Sequence, residues 1–293
     1  MANLKEIRTR ITSVKSTRQI TAAMKMISAA RLRKAQDLIV RLRPYAAKLR
    51  EIMAQVSSVA GESDAGTPFA RVTAPGRVLL VVVTSNRGLC GAFNTNVIRE
   101  SVRVANEIYP EQRREGAIEI LAIGRKGHDY LKKRDYTIFA DKSDIFDNLS
   151  FESVSDLAGE IMERFVNGEF DRVEFVYNRF RNAAVQDLIY EPFLPVKAPD
   201  EVEADLITDY ILEPDIAGII RELIPRSLKI QFYQAILNSW VAEHGARMTS
   251  MHMATDNATS LISSLTLEYN KARQASITNQ ILEVVSGAEA LKG

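Results

Sequence analysis

The sequence predicts an α/β protein with long terminal helices. Its N- and C-terminal segments form an antiparallel two-helix coiled coil, and a Rossmann-like α/β domain is inserted between them. Three observations carry that expectation. Residues that oppose helix are confined to the middle of the chain, both ends repeat apolar residues at spacings of three and four, and the middle alternates β-branched runs with helical stretches. The expected organisation is a first long helix over 1–60, the inserted domain over 61–208 and a second long helix over 209–293.

All 14 glycines lie after residue 60, and eight of the nine prolines lie between Pro68 and Pro225. Pro44 is the only breaker in the first 60 residues. After Pro225 only Gly245, Gly287 and the terminal Gly293 interrupt. Both ends thus lack the residues that cost a helix most. A helix from Arg226 to Ser286 would extend about 90 Å at 1.5 Å per residue, far beyond a helix of ordinary length. A bend is expected at Pro44, where the missing N–H removes one hydrogen bond, with the helix continuing beyond it.

Periodicity supports the pairing. Leu38, Leu42, Tyr45, Leu49, Ile52, Val56 and Val59 form an apolar seam. Leu4, Ile7, Ile11 and Val14 begin a similar one, and Ile20, Met24 and Ile27 are expected to continue it after a shift in phase. A fixed register from Ile230 to Leu282 is apolar except at His244, Arg247, Glu268 and Asn279. So narrow a stripe suits a coiled coil better than a helix lying on a globular core.

The middle reads differently. Arg77–Thr84 is a β-branched run that suits a strand buried on both faces, and Ile118–Ile123 and Val173–Tyr177 supply two more strands. Helical stretches at Asn94–Ile108, Lys126–Lys133 and Phe151–Val166 alternate with them, which argues for a mainly parallel sheet.

Composition narrows the class. With 46% hydrophobic and 26% charged residues the chain falls in the range of folded proteins, which excludes disorder throughout. The single cysteine, Cys90, excludes an internal disulfide framework. The longest apolar run, Val78–Val83, is far short of the ~20 residues of a membrane-spanning helix. The N-terminus lacks the apolar core of a signal peptide, so a soluble chain in a reducing compartment is expected.

The net charge of +1 conceals a polarity along the chain. Residues 1–60 hold 13 basic and 3 acidic residues, whereas 61–207 hold 18 against 25. Nucleic acid, an anionic membrane surface and an acidic protein cavity could each receive the basic end. The basic residues are scattered around the helix and Tyr45 is the only aromatic before residue 60, which disfavours nucleic acid. A narrow aliphatic stripe already complementary to a second helix disfavours a membrane. A protein partner ranks first.

Candidate chemistry is sparse. The turn Thr84–Asn94 carries Gly88 and Gly91 after a strand, but GxxG matches neither the dinucleotide nor the Walker fingerprint. Its glycines are expected to allow a tight turn, and Cys90 to pack rather than attack. His128, His244 and His252 are too scattered for a metal site, with His244 expected to be a polar interruption of the seam. Asp141, Asp144 and Asp147 lack the pattern of a calcium loop and suit solvated or capping positions. No catalytic residue, cofactor site or metal site is expected.

Three stretches carry a family resemblance. RTRITSVKSTRQITAAMKMISAARLRKAQ at 8–36 resembles the N-terminal signature of the gamma subunit of F-type ATP synthase. Closer still are Glu243-His244, Ala246-Arg247-Met248, Met251, ATDNA at 254–258, LI at 261–262, YNKARQASIT at 269–278 and EVVSGAEAL at 283–291. NRGLCGAFN at 86–94 resembles the family's middle motif, with Asn86 where Asp is usual and Ala92 where Gly is usual. Those two changes bear on local contacts of the inserted domain. Residues 135–210 carry the least resemblance.

The resemblance implies a rotor. In that family the terminal helices form a shaft inside a hexamer of alternating alpha and beta subunits, and the α/β domain forms a foot against the epsilon subunit and the membrane ring of c subunits. Proton flow turns the ring and shaft, and the catalytic sites, mostly on beta, cycle through different affinities. The chain itself would do no bond chemistry and need no cofactor. It would sit peripherally on the cytoplasmic side of a bacterial inner membrane. Met24 and Lys25 fall where the family's shaft meets a beta-subunit loop, and Arg273 and Gln274 where the C-terminal helix makes a polar catch with beta. Ile277, Ile281, Leu282, Val284 and Val285 would form an apolar tip turning in its bearing, and Arg87, Gly88 and Gly91 belong to the foot turn. Arg247, Glu268 and Asn279 would be polar interruptions kept for contacts. The competing expectation is a freestanding coiled-coil adaptor whose α/β domain binds a ligand or nucleic acid.

Overall fold

The computed structural model describes residues 4–60, 68–196 and 216–290. The expected boundaries at 61 and at 208–209, and the side chains of Val56 and Val59, lie outside the described residues. In chain order the elements are α1 (Leu4–Ala60), β1 (Val78–Val83), α2 (Phe93–Arg103), α3 (Pro110–Glu115), β2 (Ile118–Ile123), α4 (Arg125–Lys132), β3 (Thr137–Asp141), α5 (Phe151–Val166), β4 (Arg172–Phe180), β5 (Gln186–Leu194) and α6 (Ile216–Ala290). A π-helical turn, Val104–Ile108, follows α2. The contacts divide into two compact units: the two terminal stretches up to Ala29 and from Met248, and the segment Ala30–Arg247.

In the segment Ala30–Arg247 the five strands run in the order β3-β2-β1-β4-β5. β1 pairs in parallel with β2 and β4, β2 in parallel with β3, and β5 closes the edge antiparallel to β4. All six residues of β1 are buried because both faces are covered. Leu79, Val81 and Val83 face a core shared with α5 and α6, while Val78, Leu80 and Val82 face one shared with α2 and the π-helical turn. Each such side chain contributes roughly 1.5–3 kcal/mol on burial. Phe175, Phe193 and Phe232 meet edge to face at 4.9 to 5.3 Å and fix α6 to the sheet. Leu38, Ile39 and Leu42 of α1 pack against the same core. Beyond the three expected strands lie β3 and β5, both at the sheet edges.

α1 continues unbroken through Pro44, which is exposed, so water can reach the carbonyl that loses its helical partner. α6 is described from Ile216, ten residues before Arg226, and holds Pro225 within it. In this unit α1 buries Leu32, Ala35, Ala46 and Leu49. Tyr45, expected in the seam, is exposed, and Ala46 takes its place.

In the terminal unit the less exposed positions of α1 are spaced three and four apart: Leu4, Ile7, Ile11, Val14, Arg18, Thr21, Lys25 and Ser28. No shift of phase occurs. Ile20 and Ile27, expected to continue the seam, are 61% and 55% exposed, and Met24 is half-buried beside it. On α6 the corresponding line is Met251, Thr255, Ala258, Ile262, Leu265, Tyr269, Ala272 and Ser276. It shares every second position with the expected register and displaces the others by one residue, so that Glu268 is exposed and Tyr269 is half-buried.

Candidate functional site

Polar contacts join the two helices of the terminal unit close to its limits at Ala29 and Met248. Lys25 Nζ lies 3.3 Å from His252 Nδ1, and the Thr255 hydroxyl lies 2.8 Å from the Thr21 hydroxyl. One step down α1 is matched by one step up α6, which makes the pair antiparallel. The Thr255 hydroxyl also approaches the Met251 carbonyl at 2.7 Å, and its single proton serves one acceptor at a time. Asp256 Oδ2 is 3.3 Å from His252 Nδ1. Small and polar residues in a seam let two helices approach and fix their register through hydrogen bonds rather than apolar bulk.

Of the residues expected to meet a partner, Met24 and Lys25 are half-buried, while Arg273 and Gln274 are exposed on α6. Every described residue from Ile277 to Ala290 is exposed. Ile277, Ile281, Leu282, Val284 and Val285 show 48% to 72% of their surface. Apolar residues repeated along an exposed helix mark a surface that another molecule covers.

The turn after β1 belongs to the other unit. The Ser85 N–H donates to Asn94 Oδ1 at 2.9 Å, and the Ser85 hydroxyl donates to the Arg87 carbonyl at 2.5 Å. Leu89 and Gly91 both take the left-handed conformation, with φ of 63° and 60°. The Arg87 and Gly88 carbonyls are drawn toward α6, where the Arg247 guanidinium donates to them at 2.9 and 3.3 Å. Arg247 also meets Glu243 at 2.5 Å, and both side chains are nearly inaccessible. The turn therefore presents carbonyls to a cation, the reverse of a phosphate cradle. In open α/β sheets ligands bind outside the carboxyl ends of the strands where the order reverses, here between β1 and β4. Cys90, Phe93, Ala242, Ala246 and Phe180 pack together at that place.

Electrostatics follow from this packing. Burial pushes the Glu243 carboxyl up, against the opposing pull of Arg247, Arg31 and Arg87. His244 is buried edge to face against Trp240 at 5.2 Å, and neither ring nitrogen has a hydrogen-bond partner among the described residues. Burial, then Arg247 and Arg31, pushes it down to about 3, so the ring is neutral near pH 7. It sits in the core rather than in a coiled-coil seam. Burial also raises the Cys90 thiol, which keeps it protonated and poorly nucleophilic. The Asp141 carboxylate accepts from the Ser143 N–H at 3.0 Å, a local capping contact.

Sequence reasoning missed the Thr21–Thr255 and Lys25–His252 contacts. The available signal was a polar residue at an unbroken heptad position. It also missed Tyr109, whose hydroxyl donates to the buried Glu174 at 2.5 Å and ties the π-helical turn to β4. Among the described residues no group of three or more His, Cys, Asp or Glu could hold a metal ion, and no helix is long and apolar enough to cross a membrane.

A family model described as ATP synthase matches residues 3–291. The chain is 53% identical to the ATP synthase gamma chain of Flavobacterium psychrophilum over 294 residues, covering all of both chains. It is 51% identical to that of Flavobacterium johnsoniae and 43% identical to that of Geotalea daltonii, again end to end. Among solved structures it resembles a chain of the Euglena gracilis mitochondrial ATP synthase OSCP/F1/c-ring assembly, with a TM-score of 0.66 at 23% identity over 98% of this chain and 94% of that one. A chain of the Tetrahymena thermophila mitochondrial ATP synthase central stalk and c-ring matches with a TM-score of 0.56 at 23% identity, over 80% of this chain and 99% of that one. At that identity the structural likeness concerns the fold.

Proposed function

The chain belongs to the family of ATP synthase gamma chains, and from that premise we propose that it is the central-stalk rotor of an F-type ATP synthase. It couples proton flow through a membrane ring of c subunits to cycling of the catalytic sites on beta subunits, and it makes and breaks no bonds itself. The observation that carries this reading is the C-terminal stretch of α6. There Ile277, Ile281, Leu282, Val284 and Val285 are exposed in a helix that needs a surrounding surface. Relatives matched end to end as ATP synthase gamma chains leave the freestanding adaptor without support.

In this reading residues 1–60 and 209–293 form the shaft inside a hexamer of alternating alpha and beta subunits. Met24, Lys25, Arg273 and Gln274 meet beta, and the apolar tip turns in its bearing. Residues 61–208 form the foot on the epsilon subunit and the c-ring, with Arg87, Gly88 and Gly91 in its turn. The basic charge of 1–60 suits an acidic protein sleeve rather than nucleic acid. The complex associates with the membrane on the cytoplasmic side of a bacterial inner membrane, where this subunit is peripheral.

Co-expression with alpha and beta subunits tests the proposal. A stable complex holding one copy of this chain per hexamer, with ATPase activity above that of the hexamer alone, is expected. Absence of such a complex would overturn it. In the assembled enzyme Met24→Lys is expected to lower proton pumping per ATP while leaving assembly intact.

A further inference from the structure

The imidazole of His252 stands between two charged neighbours that compete for one of its atoms. Lys25 Nζ on α1 and Asp256 Oδ2 on α6 each lie 3.3 Å from His252 Nδ1. That nitrogen has a single in-plane position, filled either by a lone pair or by a proton. With the lone pair it accepts from the Lys25 ammonium and joins α6 to α1. With a proton it donates to the Asp256 carboxylate, one turn along the same helix. It cannot do both. A second ring proton also makes the imidazole a cation, which sets it against Lys25 across the helix pair.

The local charges are few. On α1 Lys25 is the only ionisable residue between Arg18 and Arg31, and on α6 only His252 and Asp256 lie between Arg247 and Glu268. The side chains of His252 and Asp256 are 55% and 66% exposed, so water delivers the proton directly. Pairs exposed to water are weak, and one added charge is enough to reverse the preference. Nearby, Thr21 and Thr255 hold the same pair through hydroxyls 2.8 Å apart, which carry no charge to titrate. We propose that His252 is a proton-operated latch inside the helix pair. Neutral, it is tied across the pair to Lys25; protonated, it turns to Asp256 and releases the Lys25 ammonium. The only covalent change is the N–H bond formed with a proton from water. The latch lies within this chain and is independent of the rotor reading.

The position of the proton can be read in the full chain. Nitrogen-labelled histidine marks three rings, and the His252 signals are those lost in His252→Leu. Histidine changes charge between about pH 5 and 8, so the two ends of that interval are compared. At about pH 8, long-range proton–nitrogen spectra are expected to show His252 with Nε2 protonated and Nδ1 bare. In Lys25→Met the share of rings with Nδ1 protonated is expected to rise by about threefold, because Asp256 is then the remaining partner. A native ring already protonated mainly at Nδ1 at that pH, or a balance unmoved by Lys25→Met, overturns the latch. Double-mutant cycles in urea unfolding supply the second reading. The Lys25→Met, His252→Leu cycle is expected to show a coupling of about two- to threefold in the unfolding constant at about pH 8 and none, or the opposite sign, at about pH 5. The His252→Leu, Asp256→Ala cycle is expected to grow by a similar factor as the pH falls, while the coupling of Thr21→Val with Thr255→Val stays constant. A Lys25–His252 coupling equally favourable at both ends of the interval overturns the proposal.

Discussion

Arg247 of α6 donates to the backbone carbonyl of Arg87 at 2.9 Å, and so ties the C-terminal helix to the turn that follows the central strand. The same guanidinium satisfies Glu243 at 2.5 Å, in a pair where both side chains are 9% exposed. Removing one member of a buried pair strands the other without water or a counter-charge. Arg247→Ala is expected to destabilise the chain by about 3–5 kcal/mol in equilibrium urea unfolding. Arg247→Lys is expected to recover only part of that loss, because an ammonium lacks the planar fork that reaches carboxylate and carbonyls together. A loss within 0.5 kcal/mol for the alanine variant would refute this account.

Two glycines should respond very differently to alanine. Gly124 has φ of +116°, and a Cβ there would lie 2.1 Å from the Thr84 carbonyl oxygen. Gly124→Ala is expected to cost about 3 kcal/mol or more. A Cβ on Gly88 would meet nothing within 4 Å, so Gly88→Ala should change stability by less than about 0.5 kcal/mol. Paired thermal melts of the two variants provide the comparison.

The threonine contact invites a double-mutant cycle. Thr21→Val or Thr255→Val alone removes one partner of a 2.8 Å hydrogen bond and is expected to cost about 0.5–1.5 kcal/mol. The double variant removes both polar groups and should cost less than the two singles together. Strict additivity in chemical denaturation would show that the two hydroxyls do not interact.

His244 makes the fold sensitive to acid. Its value is lowered from 6.5 to about 3 in the folded chain, so the unfolded chain binds the proton first as pH falls. The stabilisation is complete above about pH 6.5 and is lost progressively down to about pH 3. Glu243, pushed up by burial, and Arg247 share this environment. His244→Phe is expected to flatten the stability profile across that interval, measured by urea unfolding at stepped pH. A profile as steep as that of the native chain would exclude His244 as its source.

The parts legible in the sequence were those where one physical demand dominates. Val78–Val83 is apolar throughout because both faces of β1 are covered, so composition alone marks it as a central strand. β5 lies at the sheet edge with Pro192 inside it, and an edge strand need not read as a continuous β-branched run. The helical ends were legible from their missing breakers, yet the line of contact was not. Following apolar residues leads to Ile20 and Ile27, which face outward, whereas Thr21, Lys25 and Ser28 occupy the seam. Hydrophobicity identifies an interface only when both sides are filled by apolar bulk. Here hydrogen bonds and small side chains fill one, and the exposed apolar residues belong to other surfaces. The Arg247 contact was likewise hidden, since its acceptors are main-chain oxygens with no identity in the sequence.

α6 is buried at every position from Val241 to Arg247. A helix seated along a single stripe can roll in its groove by exchanging neighbouring contacts. One enclosed on all sides has no free face to roll onto, and Arg247 acts like a key cut into its flank and seated in the carbonyls of Arg87 and Gly88. Turning this stretch about its own axis would break the Arg247 contacts with the turn that follows β1. The crevice that similar folds leave open for a ligand has become a keyway.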